Sequence, residues 1–149
     1  MLFDDIKRKY QGLALYAEPQ FMYLNRSARP QTVKIRDTLE TWFSRYPEGQ
    51  TKKDVMGRFR SGDDSQYRSA FFELLLHELL FQLNCKVESH PHIEGTTNTP
   101  DFLVNPATGS PFYLETAVVS DESDEEAAAR ARMNTIYDAL DRLPSPDFF

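Results

Sequence analysis

Apolar and polar positions along this chain alternate with two different periods, and the change of period marks out its elements. From Pro30, a residue suited to the first turn of a helix, Val33, Ile35, Leu39, Trp42 and Phe43 fall roughly on one helical face, and Pro47 and Gly49 end the segment. A shorter helix follows over about Lys52 to Arg60, carrying Val55, Met56 and Phe59. Ser61–Asp64 reads as a turn in which Asp63 or Asp64 can cap the next helix, from about Ser65 to Leu83. In that helix Phe71, Phe72, Leu74, Leu75, Leu76, Leu79, Leu80 and Leu83 cover more than half the circumference, which predicts a largely buried element.

The period then drops to two. Cys85–His90 alternates as a strand does, and 91–99 is a loop. Pro100–Val104 reads as a second strand, because the residue before a proline is pushed to extended geometry. After a hairpin-like turn over Asn105–Pro111, Phe112–Val119 reads as a third strand, apolar enough to lie centrally in a sheet. A last helix is predicted from about Ser123 to Arg142. It has a capping-box pair in Ser123 and Glu126 and a packing stripe of Ala129, Met133, Ile136, Tyr137 and Leu140. Asp147-Phe148-Phe149 resembles the start of another strand, so the chain reads as stopping in mid-fold, at a natural terminus or within a longer protein. Residues 1–30 are apolar but poorly periodic and predict only short helix or irregular structure.

The 149 residues suffice for one compact domain with a real core. Eleven Phe and seven Tyr argue against disorder. A net charge of −6 argues against a general polyanion binder, although residues 1–60 hold most of the Lys and Arg and could meet DNA locally. The single cysteine, Cys85, excludes an internal disulfide and reads as a small buried hydrophobe. With no signal peptide and no apolar run near the roughly 20 residues needed to span a bilayer, a cytoplasmic protein is expected.

Three acids stand where acids are costly. Asp101 opens one strand. Glu115 interrupts the next, where an unpaired buried carboxylate would be expensive. Glu73 sits between Phe72 and Leu74 in the most apolar helix, with His77 one turn on along the same face. Two or three such oxygen ligands, completed by water, suit Mg2+ or Mn2+. Each residue also has a plainer reading. Glu115 could be paired with an arginine, Asp101 could simply open a strand, and His77 could be a hydrogen-bonded core histidine. His90 and His92, flanking Pro91, lack the further ligands of a zinc site and read as loop residues. Lys52, Lys53, Arg58, Arg60 and Arg68 read as solvated charge or as a DNA-facing cluster.

Glu73 on the leading helix, Pro100-Asp101 on one strand and Leu114-Glu115-Thr116-Ala117 on the next resemble the PD-(D/E)XK, or restriction-endonuclease-like, nuclease superfamily, over roughly residues 64–142. The resemblance implies an α/β fold with a three-layer helix-strand-strand-strand-helix core over 61–149 and an N-terminal helical extension over 1–60. The core would be cut before its last strand if the chain is a piece. It further implies that Asp101 and Glu115 bind the metal directly, with the Thr116 carbonyl and Glu73 as further ligands. The reaction would be hydrolysis of a nucleic-acid phosphodiester, with DNA as the partner and a homodimer as one mode of assembly. The lysine of the motif is replaced by Ala117, leaving Lys86, Arg130 or Arg132 as substitute base or charge stabiliser. An arginine there would stabilise charge without transferring a proton. Two alternatives stay open, a catalytically inactive nuclease-like module that binds DNA or a protein partner, and a purely structural interaction domain.

Overall fold

The structure, a computed structural model, describes residues 1–95, 99–117 and 122–143. It is a mixed α/β fold with five helices and one small antiparallel sheet. The order is α1 (Gln20–Arg26), α2 (Pro30–Arg45), α3 (Gln50–Arg60), α4 (Asp64–Gln82), β1 (Lys86–Ser89), β2 (Phe102–Asn105), β3 (Phe112–Leu114) and α5 (Asp124–Leu140). Proline opens α2. The Asp63 carboxylate caps α4, accepting from the amides of Ser65 and Gln66 at 2.7 and 3.0 Å. Ser123 and Glu126 form the expected capping box at the start of α5.

The sheet is a meander in the order β1-β2-β3. Ser89 pairs with Phe102 and Phe102 with Leu114, and this row forms one end of the ladders. Phe102 and Val104 are fully buried and join a single core with Leu74 and Leu80 of α4. Leu39, Phe43, Val55 and Phe59 enter the same core, as do Leu2 and Phe3, whose amides donate to the Glu40 carboxylate at 2.9 and 2.7 Å. Residues 1–60 therefore supply much of the core against which α4 packs. Among the described residues no helix is long and apolar enough to cross a membrane.

Three expectations need correction. The strand predicted over 112–119 ends at Leu114. Glu115, Thr116 and Ala117 lie beyond it, and Val118 and Val119 fall outside the described residues, as does the strand expected at 147–149. The α5 stripe is not a packing face, since Met133, Ile136, Tyr137 and Leu140 are exposed. That helix is held instead by Asp138, whose buried carboxylate accepts from the amides of Tyr16 and Ala17 at 2.6 and 2.9 Å, and by the Tyr16–Tyr137 ring contact. Finally, α4 is buried on one side only. Glu73, His77 and Glu78 face inward with Leu74, while Phe72, Leu79 and Leu83 are about half exposed. Sequence pattern alone misleads here because a helix apolar all round does not say which side the sheet will cover.

Candidate metal centre

Glu73 projects from the middle of α4 toward the end of the sheet and is 1% exposed. Its carboxylate is well supplied with donors. The Tyr46 hydroxyl donates to Oε1 at 2.5 Å, and the Arg58 guanidinium, reaching across from α3, pairs with Oε2. Burial first, and then the hydrogen bond to Glu73 and its charge, pushes the Tyr46 hydroxyl well above its ordinary value, so it remains a proton donor. For Arg58 burial opposes the charge, but the hydrogen bond and charge of Glu73 outweigh it and the guanidinium stays protonated.

His90 comes next, one residue beyond β1. Its amide donates to the Asp101 carbonyl at 2.8 Å, which carries the β1–β2 ladder one pair past Ser89 and Phe102. In a regular strand its side chain would point away from the face that carries Phe102. His90 instead has φ +50°, in the left-handed region. That conformation breaks the alternation and brings the imidazole to Glu73. It is sparsely populated by residues other than glycine and costs on the order of 1 kcal/mol.

Asp101, just before β2, completes the group. The amide and hydroxyl of Thr116 both donate to its Oδ2, the amide at 2.6 Å, which leaves Oδ1 toward His90. His90 Nε2 lies 3.4 Å from Glu73 Oε1 and 3.8 Å from Asp101 Oδ1, and one ligand atom from each residue lies within 4.8 Å of the other two. Around an octahedral ion with bonds of about 2.1 Å, adjacent donors stand about 3.0 Å apart and opposite ones about 4.2 Å. The three atoms are thus spaced so that small side-chain shifts would let one ion touch them all. A donor set of two carboxylate oxygens and one imidazole nitrogen fits Mn2+ or Zn2+ better than Mg2+, which prefers oxygen alone.

The other residues singled out by sequence lie elsewhere. Glu115 is exposed. Extending the β2–β3 register by one pair would set it opposite Asp101, but the ladder stops at Phe102 and Leu114. Like charges directly across a ladder repel, and Thr116 gives Asp101 two donors in place of a second carboxylate. It is the Thr116 amide, not its carbonyl, that faces Asp101. Lys86 sits opposite Asn105 at the far end of β1, three residues or about 10 Å along the strand from Ser89. Arg130 pairs with Glu122, and Arg132 is exposed on α5. His77 is buried against the Tyr46 and Phe102 rings, with centroids 4.7 and 6.3 Å away, and burial lowers its pKa so that it stays neutral.

Two members of the site escape sequence reasoning. His90 was readable as a loop histidine because nothing in Ser-His-Pro announces a left-handed residue. Arg58 was readable as solvated charge because its partner lies 15 residues away on another helix. The rest of that basic cluster does not form one surface. Lys52 is buried, donating to the Tyr46 carbonyl at 3.0 Å, and Arg60 binds the Leu2 carbonyl at 3.0 Å and pairs with Asp4.

No family model, no curated protein and no solved structure matches the chain.

Proposed function

We propose that this chain is a metal-binding domain related to the restriction-endonuclease-like nucleases, and that Glu73, His90 and Asp101 hold a divalent ion for hydrolysis of a nucleic-acid phosphodiester. The observation behind this reading is the convergence of two acids singled out by their positions, Glu73 and Asp101, on one imidazole. The helix, three antiparallel strands and helix follow in the order that the resemblance requires. Once bound, the ion would lower the pKa of a coordinated water and polarise a phosphoryl oxygen.

The chain's own residues would then divide the work. His90 and Asp101 orient toward the ion from the sheet, and Thr116 fixes the Asp101 carboxylate by two hydrogen bonds. Tyr46 and Arg58 hold Glu73 in place from behind. Arg58, which pairs with both Glu73 and Asp54, offsets part of the negative charge that would attract the cation. Mn2+ would therefore bind with moderate affinity, which a fourth ligand from Glu115 would raise. Lys86 sits at the far end of β1 and Lys52 is engaged with the Tyr46 carbonyl, so proton transfer would fall to water on the ion, and Arg58, paired with Glu73, would be placed to stabilise charge.

The second reading, a binding module that does not cut, is favoured by Ala117 in the place of the motif lysine and by the engagement of Arg58 with Glu73. Incubation of the chain with supercoiled plasmid and with single-stranded RNA in Mn2+ separates the two. Nicking that disappears in both Asp101→Asn and His90→Asn supports the nuclease. Retained Mn2+ binding and nucleic-acid binding without nicking supports the inactive module. Nicking that survives both substitutions contradicts an active centre at these residues.

A further inference from the structure

Helix α5 is attached to the molecule by a polar clamp rather than by packing. It runs for 17 residues, yet Asp138 is its one buried residue, whereas α4 buries Tyr67, Ala70, Leu74 and Leu80 along with its polar cluster. The apolar side chains of α5 lie open to solvent, so their burial contributes little to holding it. Among the described residues, the hydrogen bonds that join α5 to other elements are the two that the Asp138 carboxylate accepts from the amides of Tyr16 and Ala17. The Tyr16 and Tyr137 rings meet beside them, with centroids 5.2 Å apart and both rings about half exposed. Toward the start of α5 a polar cleft of about 530 Å3 lies between Arg130, Ala131 and Thr135 on the helix and Gly62, Asp64 and Arg68 on the body.

We infer that α5 is a detachable arm, latched to residues 16–17 by the Asp138 carboxylate and able to leave as a unit while α1 to α4 and the sheet stay folded. Opening breaks two hydrogen bonds and one half-exposed ring contact, whereas unfolding the core must uncover Leu39, Phe59, Leu74 and Phe102 together. The open state strands nothing polar, since water takes up the Tyr16 and Ala17 amides and the carboxylate alike. The sequence of α5 makes it one cooperative unit rather than a segment that frays from an end. Its Ser123–Glu126 capping box, its three first-turn acids and its run Ala127-Ala128-Ala129-Arg130-Ala131 all favour helix without help from packing. The latch touches none of Glu73, His90 and Asp101, so the arm stands or falls independently of the candidate metal centre.

Hydrogen exchange of the full chain, read by mass spectrometry, tests this inference. Peptides from 124–140 should exchange together and at least about 100-fold faster than those from α4, because their opening does not require global unfolding. Asp138→Asn exchanges the carboxylate for a neutral amide whose nitrogen cannot accept. It should speed exchange of 124–140 at least about tenfold further, as expected for weakened hydrogen bonds to a charged group. Exchange of α4, and the urea midpoint followed by Trp42 fluorescence, should not change in that variant. Ile136→Glu, on the open side of α5, should leave all three readouts as in the wild type. Exchange of α5 at the rate of α4 in the wild-type chain would overturn the inference whatever the variants do. So would α5 exchange indifferent to Asp138→Asn, or an Asp138→Asn variant in which α4 loses as much protection as α5.

Discussion

The two faces of α4 invert the usual division of residues. The inner face buries two carboxylates and a histidine, whereas the outer face leaves Phe72, Leu79 and Leu83 half exposed. A buried ionised group is tolerated only when it is paired and hydrogen-bonded, and Glu73 meets that condition through Arg58, Tyr46 and His90. Exposed leucines and phenylalanines carry no comparable penalty. The contrast teaches that apolarity alone does not decide which side of this helix is covered, since a polar cluster lies inside and an apolar stripe outside.

Substitutions on the inner face should do the most damage. Glu73→Ala removes the acceptor of the Tyr46 hydroxyl and one of the two carboxylates that pair with Arg58, the other being Asp54, so chemical denaturation should show a loss of about 3 kcal/mol from two hydrogen bonds to a charged group. Replacing both charged partners, as in Glu73→Leu/Arg58→Met, should recover much of that loss, since a well-packed apolar pair can equal a buried ion pair. If the double variant is as unstable as Glu73→Ala, unpaired charge is not the cause. Tyr46→Phe keeps the packing but removes one hydrogen bond to a charged group, and should cost about 1.5–3 kcal/mol.

Acid should act on the same face. Burial holds the His77 pKa below the ordinary value of about 6.5, with Lys52 lowering it further and Glu78 and Glu73 working in the opposite sense. As pH falls through about 6.5, the unfolded chain therefore takes up a proton that the folded chain refuses. The stability supplied by neutral His77 is complete above that pH and is lost progressively below it. In His77→Phe, urea midpoints between about pH 7 and pH 5 should fall less steeply than in the wild type. An unchanged slope would remove His77 from the account. The outer face should be the quiet one. Leu79→Ser should shift stability by no more than about 0.5 kcal/mol.

Much of the fold was legible from periodicity, because helices α2 to α5 and all three strands announce themselves by spacing, prolines and caps. The failures share one physical cause, since sequence shows which residues are apolar but not which of them are covered. That ambiguity hid the exposed stripe of α4 and made the α5 stripe look like core. In the site, Glu73 and Asp101 were legible as acids in costly places and stand together around His90. Glu115 looked like an acid buried in a strand, but the strand stops one residue short of it and its side chain reaches solvent. His90 was hidden because its placement depends on a single left-handed φ, and Arg58 because the pairing depends on how α3 crosses α4.

Calorimetric titration of Mn2+ into the full chain, beside His90→Asn and Asp101→Asn, tests the metal centre most directly. Asparagine tolerates the left-handed conformation at residue 90, so the first variant removes the imidazole and spares the backbone. Binding of one ion per chain should weaken at least about tenfold in each variant, as expected for loss of one ligand from a small donor set. An absence of Mn2+ binding, or binding indifferent to both substitutions, would contradict a metal centre at Glu73, His90 and Asp101.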